Sequence, residues 1–329
     1  MLNKKLPVTV ISGFLGAGKT TLVNHVLSQN ADATIGVIVN EYGEVGIDGE
    51  LIIADDNALI EIRNGCICCT VRSDLVAGVK TLLAREDIKL DRLIIETSGL
   101  ADPAPVLQSF LADPDLLMKV ELESVIAIVD AANLKRQIHD DIAREQIAFA
   151  DLVILNKAEL AEAGELEAIE GELRLLNPTA HVIRATKANV SFSDLLGTPR
   201  FSLPNLLQIE PELLEGEHDH EHDQSVSSCA VETEQALDPS LFNRWINQLV
   251  QREGASLLRM KGILQFKGEA RPFQFHSVHM LMESKPARRW RPDEARKSRF
   301  VFIGRHLDAQ ALQQEFLACA HAATESAVA

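Results

Sequence analysis

Short runs of β-branched and aliphatic residues alternate with helix-like segments between residues 8 and 186. Such alternation is typical of parallel strands that are buried on both faces and joined by crossover helices. Six such runs predict a doubly wound, mainly parallel α/β sheet within a first domain over residues 1–200. The runs are Val8 to Ser12, Thr34 to Asn40, Arg92 to Glu96, Val125 to Asp130, Leu152 to Leu155 and His181 to Arg184.

The pattern changes in the second half of the chain. Between Phe201 and Asn243 there are ten Asp or Glu residues and neither Lys nor Arg, which predicts a solvated linker over 201–225. Residues 226–329 are predicted to form a smaller α+β domain. Its predicted elements are helices at Leu241 to Arg252 and Asp308 to about Cys319, with strand-like runs at Ser256 to Phe266, Arg271 to Met282 and Arg299 to Gly304.

The composition narrows the class of protein. A chain of 329 residues has room for about two domains, and 46% apolar with 24% charged residues is typical of an ordinary folded protein. Because 48 acidic residues outnumber 32 basic ones, the net charge of −16 argues against general binding to nucleic acid or to anionic membranes. No uncharged apolar run approaches the ~18 residues that a membrane-spanning helix needs.

The cysteines indicate a reducing compartment. Three of the five lie close together at Cys66, Cys68 and Cys69, which in a chain of this length is not the pattern of a disulfide framework. The other two, Cys229 and Cys319, are isolated and are interpreted as structural residues. The predicted location is therefore the cytoplasm.

A glycine-rich segment directly follows the first predicted strand and opens a helix. It reads GFLGAGKT from Gly13 and fits the pattern GxxxxGK[ST] of phosphate-binding P-loops. The glycines let backbone amides turn inward around a polyphosphate, Lys19 reaches the outer phosphates, and the Thr20 hydroxyl ligates Mg²⁺. The alternative, a simple glycine turn, needs no Lys-Thr pair. The residues assigned to this site are Gly13, Gly16, Ala17, Gly18, Lys19, Thr20 and Thr21.

A carboxylate and a glycine follow the third predicted strand, LIIETSG. Glu96 is predicted to hold Mg²⁺ through its water shell, and the Gly99 N–H is predicted to sense the terminal phosphate. Because many buried strands end in an acidic residue, this interpretation depends on the P-loop. With it, Lys19, Thr20 and Glu96 are assigned to catalysis.

The segment Asn156-Lys157-Ala158-Glu159 resembles NKxD, the guanine-reading element of GTPases. In that element a carboxylate accepts both hydrogen bonds from the N1 and N2 edge of the base, a pair of donors that adenine lacks. Glu159 adds one methylene to the usual Asp, which predicts a looser or less selective base contact. A helix that starts at Asn156 with a charged first turn is the alternative. Thr186 or Lys187 is expected to complete the base pocket.

Two segments rich in metal-binding side chains lie between these nucleotide elements. In an extended loop Cys66 and Cys68 point the same way, so both thiolates can converge on one ion. Such soft ligands select zinc, copper(I) or similar metals. A closed structural zinc site needs four ligands, so three local thiolates predict an exchangeable site completed by Glu41, Glu44 or water. The alternative is that the cysteines are small buried core residues.

A histidine-rich stretch, HDHEHD, lies in the predicted linker. His218, His220 and His222 alternate there with acidic residues. Their imidazoles can load or buffer metal ahead of the thiol site, or the stretch is a solvated acidic linker. Both interpretations stay open.

Taken in order, the segments GFLGAGKTT, NEYGEVGID, NGCICC, LIIETSG and NKAE resemble the CobW-like metallochaperone GTPases, relatives of HypB and UreG, and their zinc-related branch in particular. LLRMKGILQF and RFVFIGR resemble the family's C-terminal domain, so the likeness covers nearly the whole chain. It implies a GTPase that couples hydrolysis to delivery of zinc, or of cobalt in some branches, to a client protein. It also implies phosphate and Mg²⁺ binding by Gly16, Gly18, Lys19 and Thr20, metal binding by Cys66, Cys68 and Cys69, and guanine binding by Asn156 and Lys157.

The resulting hypothesis is a GTPase in which the γ-phosphate and Mg²⁺ order the loop from Asn40 to Asp48, and hydrolysis releases it and changes metal affinity. No catalytic glutamine or arginine finger is evident, so slow intrinsic turnover is expected. One alternative is a P-loop ATPase or small-molecule kinase with structural cysteines. Another is a zinc buffer indifferent to nucleotide. A homo-oligomer linked by metal or nucleotide is a further expectation.

Overall fold

The computed structural model describes residues 5–29, 33–42, 59–64, 70–85, 89–196, 226–292 and 294–320. The chain divides into two compact units, one of Met1–Arg174 with Ala180–Phe201 and one of Leu175–Thr179 with Ser202–Ala329. The predicted linker over 201–225 lies outside the described residues. The domain limits 1–200, 201–225 and 226–329 therefore stay a prediction.

The first unit is built on a sheet of seven strands in the order β3-β2-β4-β1-β5-β6-β7. All its neighbouring strands pair in parallel, which confirms the predicted fold class. β3 is the strand that the sequence pattern did not predict. The strands are β1 Leu6–Ser12, β2 Ile35–Tyr42, β3 Leu59–Asn64, β4 Arg92–Thr97, β5 Val120–Asp130, β6 Leu152–Asn156 and β7 His181–Arg184.

Helices connect these strands. One core packs α1 against the sheet through buried residues such as Ile11, Leu22 and Ile154. Asp140 caps the start of α6, because its side chain accepts a hydrogen bond from the Ile142 N–H over 2.9 Å. The helices are α1 Lys19–Ser28, α2 Thr70–Leu83, α3 Ala104–Ala112, α4 Pro114–Lys119, α5 Leu134–Gln137, α6 Asp141–Ala148, α7 Ala163–Leu176 and α8 Phe192–Leu195.

The second unit is an antiparallel sheet of five strands in the order β11-β10-β9-β12-β8. Its core joins aromatic rings of the strands and helices, including Phe242, Trp245, Phe300 and Phe316. The strands are β8 Val226–Thr233, β9 Leu257–Leu264, β10 Phe273–Val278, β11 Leu281–Pro286 and β12 Ser298–Arg305, and the helices are α9 Pro239–Glu253 and α10 Ala309–Ala318.

Two features of this unit differ from the sequence prediction. The single run predicted over Arg271 to Met282 forms two paired strands, β10 and β11, joined by a tight turn at His279 and Met280. β8 was not predicted, and it pairs with β12 at one edge of the sheet. In the part of the chain that the structure describes, no helix has the length and apolar character needed to span a membrane.

Candidate nucleotide site

The loop after β1 has the backbone of a phosphate-binding loop. Gly13, Gly16 and Gly18 have φ of 144°, 73° and 112°, a region that favours glycine. A Cβ on Gly13 would lie 2.2 Å from the Ile128 carbonyl oxygen, and one on Gly18 would lie 2.6 Å from the Asn156 Nδ2. The loop therefore requires glycine both for its turns and for its close approach to β5 and β6. Gly18 is the N-cap residue of α1.

Lys19, the first residue of α1, points its charge into this loop. Its Nζ donates to the carbonyl oxygens of Gly13 and Phe14 over 2.9 and 3.3 Å, and the residue is only 9% exposed. Ala17 is fully buried, whereas Thr21 is exposed in the first turn of α1. The ammonium group thus lies within the loop that the sequence assigned to phosphates.

Thr20 and Glu96 meet beside the loop, although they are 76 positions apart. The Thr20 Oγ1 donates to the Glu96 Oε1 over 2.9 Å, and Glu96 is 3% exposed. The contact forms because β4 pairs directly with β1, which places Glu96 opposite Ile11. A hydroxyl and a carboxylate are hard oxygen donors of the kind that Mg²⁺ prefers, so these residues fit a magnesium ion.

The turn after β4 lies against the P-loop. A Cβ on Gly99 would lie 2.8 Å from the Leu15 backbone nitrogen and 2.9 Å from the Leu15 Cα. Gln146, on α6, donates from Nε2 to the carbonyl oxygens of Gly99 and Ala101, each over 3.2 Å. The predicted sensor of the terminal phosphate is therefore adjacent to the phosphate loop and anchored from a different helix.

Asn156, the last residue of β6, connects the P-loop to the segment after β7. Its Nδ2 donates to the Ala17 carbonyl oxygen over 2.8 Å, and its Oδ1 accepts from the Ala188 N–H over 2.6 Å. The His25 Nδ1 lies 3.0 Å from the Ala188 carbonyl oxygen, so α1 also contacts this segment. Because Asn156 is 3% exposed, both contacts are shielded from water.

Lys157 forms an ion pair that sequence reasoning missed. Its Nζ lies 2.6 Å from the Asp130 Oδ2 at the end of β5, and Asn133 donates to the same oxygen over 3.0 Å. Burial of Asp130 disfavours its charged form. The hydrogen bonds from Lys157 and Asn133 outweigh burial and hold the pKa of that carboxyl below its ordinary value of 3.8. Asp130 is therefore an anion that orients the lysine of the NKAE segment.

The remaining candidates for base recognition lie on the surface. Glu159 is exposed in a 3-10 turn over Ala158–Leu160, directly after Lys157, which has a φ of 57°. Thr186 and Lys187 are exposed in the segment that Asn156 contacts. The structure thus brings these residues to the same end of the sheet as the P-loop, and their contact with a base stays a prediction.

Most of the predicted metal ligands lie outside the described residues. Glu41 belongs to β2, where its backbone pairs in register with Arg63 of β3. Within the ranges that the structure describes, no group of three or more His, Cys, Asp or Glu side chains converges as a metal site would require. The ligands that fall outside are Cys66, Cys68, Cys69, Glu44, His218, His220 and His222.

Two of the residues at this site were missed for different reasons. Asp130 ends an apolar strand in the same way as Glu96. An acidic residue at the end of an apolar run is the sequence signal that could have identified it. Gln146 lies inside an amphipathic helix and has no distinguishing pattern. Only the packing of α6 brings its amide to Gly99.

Comparison with known proteins agrees with this geometry. Residues 7–184 match the nucleotide-binding domain of the CobW/HypB/UreG family, and residues 226–320 match the C-terminal domain of the cobalamin synthesis protein CobW. The chain is 35% identical over 319 residues to the zinc chaperone YjiA of Escherichia coli strain K12, covering 94% of this chain and 98% of that protein. It is 32% identical over 338 residues to the zinc chaperone CobW of Sinorhizobium sp., covering 92% and 93%.

A solved structure is similar over nearly the whole chain. The crystal structure of the Zn(II)-bound YjiA GTPase from E. coli superposes with a TM-score of 0.74 at 30% identity, covering 96% of this chain and 99% of that one. The predicted resemblance to this family is therefore confirmed for both the nucleotide-binding domain and the C-terminal domain. The protein belongs to the CobW family, in which a CobW/HypB/UreG nucleotide-binding domain is followed by a CobW C-terminal domain.

Proposed function

We propose that this protein is a GTP-dependent zinc metallochaperone, which hydrolyses GTP and delivers zinc to a client protein. The observation that carries the proposal is the contact between Thr20 and Glu96, 2.9 Å apart beside the buried ammonium of Lys19. A hydroxyl, a carboxylate and a lysine gathered at a glycine loop and a helix N-terminus bind a polyphosphate with its Mg²⁺. The similar proteins named zinc chaperones supply the link to zinc.

The hydrolysis step follows from these charges. Phosphoryl transfer depends mainly on positioning and on stabilising negative charge in the transition state. Lys19 and the N-terminus of α1 face the β- and γ-phosphates. Thr20 and Glu96 would hold Mg²⁺, and the bound ion would supply positive charge next to the phosphate oxygens. The Gly99 N–H meets the terminal phosphate, which GDP lacks. None of the described side chains is assigned as a general base, so slow turnover without a client is expected.

Guanine recognition is assigned to the NKAE segment. Asn156 holds the P-loop and the segment after β7 in fixed positions, and Asp130 orients Lys157. The Glu159 carboxylate then accepts from the N1 and N2 donors of guanine. Since adenine lacks that pair of donors, GTP is expected to bind more tightly than ATP.

Zinc is the cargo, held by the thiolates of Cys66, Cys68 and Cys69 with Glu41 or Glu44 as an exchangeable ligand. Strand β3 ends two residues before Cys66, and β2 contains Glu41. Both strands are parallel to β1, so their carboxyl ends lie at the same side of the sheet as the carboxyl end of β1, where the P-loop begins. Across the order β3-β2-β4-β1 the separation is three strand spacings, roughly 14 Å. This spacing between the described strands supports a zinc site that responds to the nucleotide.

The response is expected to be reciprocal. Asn40 to Tyr42 belong to β2, so the segment proposed to respond to nucleotide is the one that follows β2, up to Asp48. If the γ-phosphate orders that segment, zinc affinity differs between the GTP and GDP forms, and zinc shifts nucleotide affinity by the same factor. A coupling of about 1–3 kcal/mol corresponds to a change of about 5- to 150-fold in the zinc dissociation constant.

The decisive experiment is a zinc titration against a competing chelator, with the protein loaded either with GDP or with a non-hydrolysable GTP analogue. A zinc dissociation constant that changes with the nucleotide supports the proposal. The double variant Cys66→Ser, Cys68→Ser should lose tight zinc binding, whereas Cys229→Ala is the control that keeps it. Equal zinc dissociation constants in the GDP and GTP-analogue forms would instead indicate a zinc buffer. If ATP and GTP compete equally for the nucleotide site, the protein is an ATPase or a kinase.

A further inference from the structure

Gln146 is joined to the turn that follows Glu96 by both of its side-chain N–H donors. Its Nε2 lies 3.2 Å from the Gly99 carbonyl oxygen and 3.2 Å from that of Ala101. A side-chain amide has two N–H groups, so both serve one turn. Gln146 is 1% exposed, and its bond to Gly99 is buried, whereas its bond to Ala101 is partly buried. Breaking them would leave buried polar groups unpaired, which strongly favours one conformation of the turn.

The turn that Gln146 holds is tight and touches the phosphate loop. The Ala101 N–H donates to the Ser98 carbonyl oxygen over 3.1 Å, which closes the turn around Gly99. Gly99 approaches Leu15 so closely that an added Cβ would lie 2.8 Å from the Leu15 backbone nitrogen. A small displacement of Gly99 therefore changes its position relative to the bound phosphates.

The helix that carries Gln146 is firmly attached to the sheet. Phe149, directly after α6, is fully buried. Asp151 follows, and its backbone and carboxylate exchange hydrogen bonds of 2.7 and 2.8 Å with the backbone of Val125 in β5. Because α6 is anchored at this end, the amide of Gln146 is a fixed support for the turn.

We propose that Gln146 is a positioning residue that sets the preference for GTP over GDP. It holds the Gly99 backbone where its N–H meets the terminal phosphate, so that this hydrogen bond needs no rearrangement when GTP binds. GDP lacks that phosphate, and its binding does not depend on the turn. The inference rests on the proposed function, since it takes Gly99 as the sensor of the terminal phosphate.

A matched control lies beside Gln146. Gln137, at the end of α5, is 9% exposed and lines the same small cavity as Gln146, together with Gly13 and Phe14. Among the described contacts, no hydrogen bond joins the Gln137 side chain to the turn from Ser98 to Ala101. Replacement by Met keeps the length of either side chain and removes its N–H donors. Gln137→Met therefore tests the loss of a buried amide without the loss of the anchor.

The experiment measures the dissociation constants of GDP and of a non-hydrolysable GTP analogue, both with Mg²⁺, for the parent, Gln146→Met and Gln137→Met. For Gln146→Met we expect the preference for the GTP analogue to fall by about tenfold, with unchanged GDP binding. Gln137→Met should keep the parental ratio. Gln146→Asn, whose amide is one methylene shorter and cannot span both carbonyls, gives the same test if Gln146→Met does not fold.

Two results overturn the assignment. An unchanged ratio in folded Gln146→Met means that the turn needs no anchor, and a raised ratio means that Gln146 holds the turn away from the phosphate. The proposed function is tested separately by the parent. A parent that binds ATP as tightly as GTP contradicts the guanine-specific function, whereas a parent that prefers GTP and a variant with an unchanged ratio contradict only the role of Gln146.

Discussion

The Asn156 side-chain amide donates to the Ala17 carbonyl oxygen over 2.8 Å, although the two residues are 139 positions apart. The Oδ1 of the same side chain accepts a hydrogen bond from the Ala188 N–H over 2.6 Å. The last residue of β6 thus supports the phosphate loop on one side and the segment after β7 on the other. The phosphate loop and the segment after β7 therefore depend on one buried side chain.

Replacing this side chain should weaken both functions at once. For Asn156→Ala we expect the free energy of unfolding to fall by about 1–3 kcal/mol, because buried backbone groups lose their partners. GDP and GTP should both bind less tightly, since the P-loop loses its support. Chemical denaturation and nucleotide titration measure the two effects. The exposed Asn189→Ala is the control, and parental binding by Asn156→Ala would contradict this prediction.

Lys19→Ala should strongly lower the rate of GTP hydrolysis. The ammonium of Lys19 donates to the Gly13 and Phe14 carbonyls. In the proposed function it faces the outer phosphates of GTP. Loss of one preorganised charge of this kind lowers the rate by about 10²–10³-fold. Phosphate release is the measurement. Lys119→Ala, at the exposed end of α4, should hydrolyse GTP at the parental rate, and the same rate for Lys19→Ala would remove the assigned phosphate site.

Replacing glycine by alanine should lower GTP hydrolysis at one position and raise the stability of the fold at another. At Gly99 a Cβ would meet the Leu15 backbone, so Gly99→Ala must displace the turn and should reduce GTP hydrolysis and the preference for GTP. At Gly171, inside α7, a Cβ meets no atom within 4 Å. There alanine should raise the free energy of unfolding by about 0.5–1 kcal/mol, since it suits a helix better. Hydrolysis assays and thermal unfolding of both variants distinguish these effects.

Acid should abolish the contribution of Asp130 to stability. Its pKa in the folded protein lies below the ordinary value of 3.8, so the ion pair with Lys157 stabilises the fold above that value. The contribution is lost as the pH falls through the lowered pKa. Asp130→Asn should therefore be less stable than the parent at pH 7, and the difference should shrink towards pH 3. A difference in unfolding free energy that is constant over this range would contradict the assignment.

Thiol labelling should separate structural from zinc-binding cysteines. Burial raises the pKa of the Cys229 thiol to about 12 and that of Cys319 to about 11, so neither forms a reactive thiolate at neutral pH. The other three of the five cysteines are then expected to react with a disulfide reagent in the metal-free protein. Zinc should protect those three, and its removal by a chelator should restore them. Equal labelling with and without zinc would contradict the thiolate site.

The parallel sheet was predictable wherever a strand is buried on both faces. β6, for example, is buried at every residue and appears in the sequence as the continuous run Leu152 to Leu155. β3 was missed because it lies at an edge of the sheet and its sequence, LIEIRN, mixes charged with apolar residues. The sequence of β10 and β11 predicts one strand because the turn between them, at His279 with a φ of 49°, contains neither Gly nor Pro.

The sequence by itself determined the P-loop, the NKAE segment and the alternation of strands and helices, because each depends on neighbouring residues and local periodicity. The tertiary structure alone decided which distant side chains meet: Thr20 with Glu96, Lys157 with Asp130, and Gln146 with Gly99. The physical reason is the strand order β3-β2-β4-β1-β5-β6-β7. Parallel strands with similar apolar sequences are compatible with many strand orders. Packing of the whole domain selects the order that brings these groups together at the carboxyl ends of the strands.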